Sequence, residues 1–308
     1  MNRLLLLAAW IAFFGAAQAQ DFRTEKHALR VVTVAKGLSH PWGLVFLPDS
    51  RMLVTERPGR MRVVSADGKL SPPLAGVPEV YARGQGGLLD VTLHPDFARN
   101  RLVYFTYAEP GPGGGGTAAA FARLADDGTR LENLKVIFRQ HPKVEGGLHF
   151  GSRIVFARDG RVFVTVGERG QMQLAQDISV NRGQVIRLEA DGRIPADNPF
   201  VGRQGARPEI WAYGLRNPQG AAIHPQSGKL WTVEHGPAGG DEVNIPLAGR
   251  NYGWPVIGIG RHYSGEPIGV GTHKEGMEQP TYNWNPQIAP SGADFYTGDK
   301  FPAWRGNL

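Results

Sequence analysis

The sequence predicts an all-β fold, a β-propeller of four-stranded antiparallel blades, and three observations in its 308 residues support this. A short pattern recurs along the chain: glycine, an alternating apolar strand, a Pro-Asp or Asp-Gly turn, and a second apolar strand. The copies return at irregular intervals of roughly 50 to 70 residues, the length of one four-stranded blade plus variable loops. Long helical periodicity is missing, apart from a possible turn near Phe97–Asn100. A β-sandwich is the lesser alternative.

Four segments carry the recurring pattern, and each is typical of a β-hairpin bounded by turn residues. They are PWGLVFLPDSRMLVTER, GGLLDVTLHPDFARNRLVYFTYAE, GSRIVFARDGRVFVTVGE and PQGAAIHPQSGKLWTVEHG. In a propeller the loops of successive blades converge on one face around a central channel. Polar residues at the same end of each hairpin should therefore meet there, although they are far apart in sequence.

The glycine-rich stretch EPGPGGGGTAAA, residues 109–120, has the composition of a flexible linker between domains. Strand patterns resume on both sides of it, so we expect a solvent-exposed loop tip within one propeller domain. The sequence thus predicts a single domain over residues 20–308.

The chain has a formal net charge of +6, 42 glycines, 23 prolines and no cysteine. Without cysteine it cannot form disulfides, so its stability must come from core burial or bound metal. The arginines are scattered singly and no Lys/Arg-rich run appears, which argues against a nucleic-acid partner. A modest positive field that attracts anionic small molecules is the better use of the charge.

Residues 1–19 have the features of a secretory signal peptide: a charged start at Arg3, an apolar run from Leu4 to Ala17, and a small-x-small end at Ala19. The apolar run is shorter than the ~20 residues that span a bilayer, so a membrane anchor is the weaker interpretation. The later sequence contains no segment of that length and hydrophobicity. We therefore expect cleavage after Ala19 and a periplasmic or secreted protein.

His149 and Glu168 are candidates for acid-base chemistry. His149 lies in GGLHFGSR, just before a strand, and Glu168 follows at the other end of the same hairpin in TVGERG. Because a hairpin returns the chain, the carboxylate can come near the imidazole. An acid that accepts one ring N–H fixes the tautomer and makes the other nitrogen more basic. Taken alone, a histidine in such a position is more often a polar loop residue.

Arg216, Asn217 and Gln85 are candidates for ligand contacts. YGLRNPQG places Arg216 and Asn217 at the start of another inner strand, and YARGQGGLLD places Gln85 beside glycines. Arginine binds planar carboxylates in bidentate fashion, whereas asparagine both donates and accepts hydrogen bonds. An Asn-Pro turn explains Asn217 but not Arg216, and a polar turn explains Gln85 about equally well.

Three carboxylates and a histidine surround a Gly-Pro and a Gly-Gly step in VEHGPAGGDEVN, directly after a strand pattern. Calcium prefers hard oxygen ligands that mix carboxylates with backbone carbonyls. Gly236 and Pro237 can present carbonyls, and Glu242 can supply a carboxylate. A solvated acidic loop remains the alternative, because the stretch has no EF-hand spacing.

Together these segments resemble the soluble quinoprotein aldose sugar dehydrogenases, which use pyrroloquinoline quinone (PQQ) on a six-bladed propeller. The resemblance is carried, in order from about His40 onward, by GQGGLLDVTLHPDF, HFGSRIVF, EIWAYGLRNPQG, EHGPAGGDEVN, NYGWP and HYSG. LRNPQG followed by EHGPAGGDE is much more specific than any single motif. The resemblance implies six blades, and it says little about the particular sugar.

The resemblance also implies roles for individual residues. His149 is the general base that takes the proton from the anomeric hydroxyl of the sugar, and Glu168 stands where the family has its His-orienting acid. The positions that would contact quinone or substrate are Gln85, Arg216, Asn217 and Tyr263. The product would be a lactone, and the sequence identifies no electron acceptor.

Two calcium sites are implied by the same resemblance. Gly236 and Pro237 would offer carbonyls to a calcium ion that bridges to the quinone. Glu242 and the carbonyl of Tyr252 would bind a second, structural calcium. The three carboxylates of PQQ give a reason for both Arg216 and calcium.

Family members continue past the equivalent of Leu308, and GADFY at residues 292–296 begins what should be the last blade. We expect that blade to be incomplete and the strand around residues 31–34 to be the partner that closes the ring.

Two other functions fit a propeller of this kind. A calcium-dependent lactonase or esterase would use a histidine to activate water and would need no quinone. A non-enzymatic carbohydrate- or protein-binding propeller is allowed because a fold does not settle function. The preferred aldose and the oligomeric state do not follow from the sequence.

Overall fold

The computed structural model describes residues 20–24 and 27–308. The predicted signal peptide, residues 1–19, lies outside the described residues. In the described part of the chain, no helix has the length and hydrophobicity needed to cross a membrane.

Strands dominate the regular structure of these residues, with one four-residue α-helix and two short 3-10 segments. In chain order the strands are β1 (Gln20–Arg23), β2 (Ala28–Val31), β3 (Pro41–Phe46), β4 (Met52–Glu56), β5 (Arg60–Val64), β6 (Leu88–Leu93), β7 (Leu102–Gly111), β8 (Gly114–Leu124), β9 (Leu131–Arg139), β10 (Gly151–Phe156), β11 (Val162–Val166), β12 (Gln184–Leu188), β13 (Ile210–Tyr213), β14 (Pro218–Ile223), β15 (Leu230–Glu234), β16 (Asp241–Asn244) and β17 (Tyr282–Trp284). The helix α1 is Phe97–Asn100, where the sequence predicts a turn, and the 3-10 segments are Met172–Gln176 and Pro302–Trp304.

The strands form consecutive antiparallel sheets, each built from one continuous part of the chain. β3 to β5 make a three-stranded sheet, and β6 to β9, β10 to β13 and β14 to β17 make three four-stranded sheets, here called blades 1 to 4. The first strand of each blade is the inner one, and neighbouring inner strands pack against each other. This arrangement confirms the all-β propeller predicted from the sequence.

The number of blades differs from the six that the resemblance implies, because the described residues form four. Residues 292–296 lie beside the inner strand of blade 4: the amide nitrogen of Ala293 is 3.0 Å from the position that a Cβ on Gly220 would take. They form no strand, since no strand of the described chain is hydrogen-bonded to them. Of residues 31–34, the expected closing strand, only Val31 lies in a strand: β2 ends there and is paired with the adjacent β1, while Val32 and Val34 are exposed. Closure of the ring by this segment stays a prediction.

The pairing of every inner strand is irregular near its start. The register shifts fall between Pro41 and Leu44, Leu88 and Val91, Gly151 and Ile154, and Pro218 and Gly220. A β-bulge bends its strand and changes the direction of the side chains beside it. The bulges fall at the same end of the four blades, so the loops that lead into the inner strands converge on one face.

A threonine on the second strand occupies an equivalent place in blades 1 to 3, one residue before the partner of the first inner-strand residue: Thr55, Thr106 and Thr165. In blade 4 that place is taken by Val233, and Thr232 lies one residue earlier, opposite Ala221. In blade 3 the Thr165 hydroxyl accepts the backbone N–H of Arg153 at 2.9 Å and donates to the carbonyl of Pro218 in blade 4 at 2.8 Å. Thr55 and Thr106 join blades 1 to 2 and 2 to 3 in the same way. The Thr232 hydroxyl is buried and has no partner among the described residues.

Arg153, on β10, ties the inner strands together across a central cavity of about 660 Å³. Its guanidinium lies 2.7 Å from a carboxylate oxygen of Asp90 on β6 and donates to the carbonyls of Gln219 on β14 and of Ser291. Burial raises the pKa of Asp90, and the charge of Arg153 opposes that shift. The inner strands of blades 2 to 4 are thereby held at fixed positions relative to each other.

The glycine-rich stretch is a hairpin rather than the loop tip that we expect from the sequence. Residues 109–111 end β7, and Gly114 to Ala120 belong to β8, which is buried from Gly115 to Ala120. Only the turn at residues 111–113 is exposed. A Cβ on Gly115 would come within 2.5 Å of the Tyr81 ring, because the segment that carries Gln85 crosses β8 at this point. The absence of side chains at the glycines therefore makes room for the segment that carries Tyr81 and Gln85 and leads to the candidate site.

Candidate active site

His149 and Glu168 meet at the converging face, as the hairpin argument predicts. His149 Nδ1 lies 2.7 Å from Glu168 Oε1, and both side chains are buried. Since a carboxylate only accepts, Nδ1 carries the proton and Nε2 is left as a hydrogen-bond acceptor. The second oxygen of Glu168, Oε2, is buried without a partner in the described residues. The pair can accept a proton at Nε2 and stabilise the resulting charge.

Two predicted residues hold the backbone on either side of this histidine. The Gln85 side-chain oxygen accepts the backbone N–H of His149 at 2.8 Å. The Asn217 side-chain oxygen accepts the backbone N–H of Gly151 at 3.0 Å. His149 itself has φ +52°, in the left-handed region that β-carbon-bearing residues rarely adopt. These contacts fix a backbone conformation that the histidine would not hold by itself.

Arg216 and Asn217 are held by a residue without a role in the sequence prediction, Glu234 at the end of β15. Glu234 Oε2 accepts the backbone N–H of Arg216 at 2.6 Å and that of Asn217 at 3.1 Å. The carbonyl of Arg216 in turn accepts the N–H of Glu168 at 3.0 Å. The acid–base pair of blade 3 and the arginine of blade 4 are therefore joined through the backbone.

The guanidinium of Arg216 extends toward the loop after β15. Nη1 donates to the carbonyls of His235 and Gly236 at 3.0 and 3.1 Å, and the guanidinium carbon lies 5.5 Å from the centre of the Trp254 ring. No carboxylate lies within ion-pair distance of Arg216 among the described residues. Its positive charge is consequently available to an anionic ligand.

All four predicted metal ligands line one enclosed cavity of about 20 Å³: Gly236, Pro237, Glu242 and Tyr252. A cavity of this size accommodates about one water molecule or one ion. Glu234 also lines it, and Asn244 Nδ2 bridges the carboxylates of Glu234 and Glu242 at 3.2 and 3.1 Å. Burial raises the pKa of both acids, and the charge of Glu234 raises that of Glu242 further.

The lining of the cavity offers oxygen donors that fit calcium. A Cβ on Gly236 would lie 2.2 Å from the carbonyl oxygen of Gly239, so only glycine leaves this space open. The carboxylates of Glu234 and Glu242 and nearby backbone carbonyls match the hard oxygen donors that calcium prefers. No group of three or more metal-binding side chains occurs in the described residues, so carbonyls would have to supply much of the coordination.

Of the two predicted tyrosines, Tyr263 is exposed at the edge of the site and Tyr252 is buried within it. Tyr263 is 78% exposed at a turn in which His262 and Glu266 are hydrogen-bonded. The neighbouring His262 ring lies 6.3 Å from the Trp254 ring, which places this turn at the rim of the site. The hydroxyl of Tyr252 is already bonded to the carbonyl of Ile245 and the N–H of Leu247, which leaves its backbone carbonyl as the candidate ligand atom.

His235 is a second histidine at this face. Nε2 lies 3.0 Å from the carbonyl of Pro290, so Nε2 donates and Nδ1 is an acceptor. Burial lowers the pKa of His235, and the charges of Arg216 and His149 lower it further, while Asp241 acts in the opposite direction. His235 is therefore neutral, and it belongs to the wall between the acid–base pair and the cavity.

Glu234, Asn244 and Trp254 are site residues that sequence reasoning missed. Glu234 and Asn244 lie inside the VEHGPAGGDEVN segment, and Trp254 follows in NYGWP, so all were within quoted motifs. Strand alternation could have indicated that Glu234 is buried, because Glu234 lies on the same face of β15 as Thr232, two residues before it. The sequence around Trp254 has no strand pattern that could have indicated its place in the site.

The fold and site define a propeller protein with a base, an anion-binding arginine and an oxygen-lined cavity at one face. The family model described as Glucose / Sorbosone dehydrogenase matches residues 38–308. The chain belongs to this family of oxidoreductases.

Two comparisons give the degree of similarity. The chain is 50% identical over 275 residues to aldose sugar dehydrogenase YliI of Escherichia coli K12, covering 88% of this chain and 74% of that protein. It superposes on the apo crystal structure of the soluble aldose sugar dehydrogenase from Escherichia coli with a TM-score of 0.86 at 48% identity, over 88% of this chain and 80% of that one.

A third neighbour is a structure that contains the cofactor. The PQQ-bound aldose sugar dehydrogenase from Streptomyces coelicolor matches with a TM-score of 0.73 and 29% identity, over 92% of this chain and 77% of that one.

Proposed function

We propose that this chain oxidises aldose sugars at C1 to lactones with PQQ and calcium, with His149 as general base and an external electron acceptor. The observation that carries the proposal is the 2.7 Å contact of His149 Nδ1 with Glu168 Oε1, beside the anchored Arg216 and Asn217. Membership of a sugar-dehydrogenase family and a PQQ-bound relative support it.

The donors at the converging face fit a quinone with three carboxylates. Arg216 has no carboxylate partner among the described residues, and Asn217 Nδ2 and Trp254 Nε1 are buried donors without partners there. A buried donor without an acceptor costs about 1–3 kcal/mol, which an anionic ligand would offset. Gln85 uses only its oxygen on His149, so its amide N–H groups are free to contact quinone or sugar. Tyr263 would contact a ligand only from the rim.

When bound, PQQ would accept the hydride from the sugar carbon, and calcium would act on it as a Lewis acid. His149 Nε2 would remove the proton of the anomeric hydroxyl, which strengthens the push of the oxygen lone pair as hydride leaves C1. Glu168 keeps the proton on Nδ1 and stabilises the imidazolium that forms. Loss of one proton and one hydride converts the hydroxyl carbon into the lactone carbonyl.

The enclosed cavity supports a calcium ion on grounds of charge as well as size. Glu234 and Glu242 are both buried there, and two carboxylates with raised pKa are stabilised in the ionised form by a cation. Gly236, Pro237 and Tyr252 line the same space, which supports backbone carbonyls as further ligands there. We infer that Gly236, Pro237, Glu242 and the Tyr252 carbonyl serve calcium at this one location.

The proposal includes export of the protein from the cytoplasm and a propeller of six blades. The charged start, apolar run and small-x-small end of residues 1–19 support delivery to the periplasm or outside the cell. The electron acceptor is a separate partner, and the residues of the site do not identify it. Six blades are proposed for the complete family fold, of which the described residues supply four.

The test is a sugar panel assayed with an artificial electron acceptor, with PQQ and calcium each added or withheld. We expect aldose oxidation only when both are present, and the loss of most of it in the protein with His149→Gln. Full activity in a chelated, quinone-free preparation would remove the proposal.

The same preparations separate the two competing functions. A lactonase would hydrolyse lactones with calcium alone and without an electron acceptor. A binding protein would give no turnover in any arm while still retaining a carbohydrate on an affinity matrix.

A further inference from the structure

Arg169 contacts the backbone on both sides of His149. Its guanidinium donates to the carbonyl of Leu148 and, at 2.9 Å, to that of Gly146, and its backbone N–H donates to the carbonyl of His149 at 3.3 Å. The guanidinium carbon also lies 3.5 Å from the centre of the Phe150 ring. The side chain of Arg169 therefore touches residues before and after the histidine, and its backbone touches the histidine itself.

The position of Arg169 in the chain joins this clamp to the acid. Arg169 directly follows Glu168, whose Oε1 receives the Nδ1 proton of His149. Residues 168 and 169 together hold the ring and the backbone of one histidine. Arg169 has φ +61°, a left-handed conformation that is unfavourable for a residue with a side chain and persists only where the surrounding contacts impose it.

The guanidinium of Arg169 is buried without an ion-pair partner among the described residues. The side chain is 4% exposed, and no carboxylate forms an ion pair with it among the described residues. Burial lowers the pKa of Arg169 to about 10, the neighbouring Arg182 lowers it further, and Glu168 acts in the opposite direction. Burial of an unpaired guanidinium is unfavourable, and here it is offset by hydrogen bonds to carbonyls and by the attraction between the guanidinium and the Glu168 carboxylate.

We propose that Arg169 is a positioning residue of the active site, whose guanidinium keeps the His149 imidazole on Glu168 by bonding the carbonyls that precede the histidine and stacking on the Phe150 ring that follows it. The kinetic part of the inference rests on the proposed function. The positioning itself is a property of the protein without quinone or sugar.

Arg182 provides a matched control within the same blade. It is 0% exposed, burial likewise lowers its pKa to about 10, and it also lacks an ion pair among the described residues. Its guanidinium donates to the carbonyls of Asn181 and Pro142 and to Gln171, none of which lies within residues 146–150. Replacing Arg182 therefore removes a comparable buried cation without touching the clamp.

The experiment compares Arg169→Met, Arg169→Lys and Arg182→Met with the wild-type protein. Long-range ¹H–¹⁵N NMR spectra of histidine-labelled protein report the tautomer of each ring, and His149→Gln identifies the signal. Thermal unfolding gives the stability loss of each variant. The kcat and KM for the best sugar are measured with PQQ and calcium, as is the pH profile.

We expect a single Nδ1–H tautomer in the wild type and in Arg182→Met, and a mixture in Arg169→Met. Loss of a residue that orients a functional histidine typically costs about 10- to 100-fold in activity, so kcat should fall by that factor while KM changes little. Arg169→Lys should be intermediate, because lysine keeps the charge but not the planar fork.

A wild-type tautomer and kcat in folded Arg169→Met would overturn the proposal. If Arg169→Met does not fold, Arg169→Lys decides, since an unaltered tautomer in that variant also overturns it. Absence of sugar oxidation in the wild type would instead refute the proposed function and leave the tautomer comparison valid.

Discussion

Glu234 Oε2 accepts the backbone N–H of Arg216 at 2.6 Å, so a buried acid on the second strand of blade 4 holds the residue that precedes its inner strand. The same oxygen accepts the N–H of Asn217. The other oxygen is bonded to Asn244, which also contacts Glu242. Glu234 is thus shared by the anion-binding residues and the small cavity, and a change at one is transmitted to the other.

Glu234→Ala should destabilise the protein and weaken quinone binding together. It leaves two buried N–H groups without an acceptor, at about 1–3 kcal/mol each. Glu234→Gln keeps one acceptor oxygen and should have a smaller effect. The measurements are urea unfolding and PQQ titration by fluorescence.

Glu132→Ala serves as the control for Glu234→Ala, because Glu132 is a partly exposed acid paired with Arg123 and Arg130. Exposed pairs are worth about 0–1 kcal/mol. Equal unfolding free energies for Glu132→Ala and Glu234→Ala would contradict the anchoring role.

His149→Gln should lose most turnover while it retains PQQ, because it removes the base without disturbing Arg216 or Asn217. Loss of a general base typically costs roughly 10²- to 10⁴-fold. Glu168→Gln should show a smaller defect, since it disturbs only the orientation and basicity of the imidazole. Steady-state turnover and quinone stoichiometry check both, and unchanged turnover in His149→Gln would mean that another residue takes the proton.

Glu56 makes the stability of blade 1 depend on pH. Burial raises its pKa, but Arg60, the N–H of Ser39 and Arg62 outweigh burial and hold the pKa below its usual value of 4.5. Because the folded pKa is below the unfolded one, this contribution is complete above pH 4.5 and is lost as the pH falls through the folded pKa.

Glu56→Gln should therefore destabilise the protein at pH 7 by roughly 1–3 kcal/mol, since it removes the charge from a buried acceptor of arginine hydrogen bonds. The difference from wild type should shrink in acid, below the unfolded pKa. Urea unfolding of both proteins at pH 7 and at the lowest pH where they fold checks this. A difference that stays constant with pH would show that the charge is not responsible.

The hairpin argument predicted the meeting of His149 and Glu168, because two strands joined by a tight turn must bring their far ends together. The convergence of Gln85, His149 and Asn217 followed from the propeller face for the same reason. Sequence reasoning failed where a contact depends on the register of two strands. Glu234 is separated from Arg216 by 17 residues in the intervening chain, and it lies opposite Pro218 in a pairing whose register shifts between Pro218 and Gly220.

The errors in the fold have physical causes as well. Composition predicted a loop for residues 109–120, but the glycines are required where Tyr81 crosses β8, and the chain there is hydrogen-bonded on both sides. Residues 292–296 carry a strand-like sequence and lie beside β14, but a strand needs a partner for its outer edge. Such pairing is a property of the sheet and cannot be deduced from a five-residue segment.

The repeated threonines give a matched pair of substitutions that tests how the blades are joined. Thr165 and Thr232 are both about 1% exposed and lie on the second strands of blades 3 and 4. The hydroxyl of Thr165 bonds Arg153 and Pro218, whereas that of Thr232 has no partner among the described residues. Valine has nearly the same shape as threonine, so each substitution removes only the hydroxyl.

Thr165→Val should destabilise the protein by about 1–3 kcal/mol, because the N–H of Arg153 and the carbonyl of Pro218 lose their partner in a buried position. Thr232→Val should be neutral or stabilising, since it replaces a buried, unbonded hydroxyl by a methyl group. Urea unfolding of the two variants under identical conditions measures the difference directly. An equal loss in both would mean that the hydroxyl of Thr232 has a partner in solution. No loss in either would mean that the blades are held by apolar packing and that these hydrogen bonds contribute nothing net.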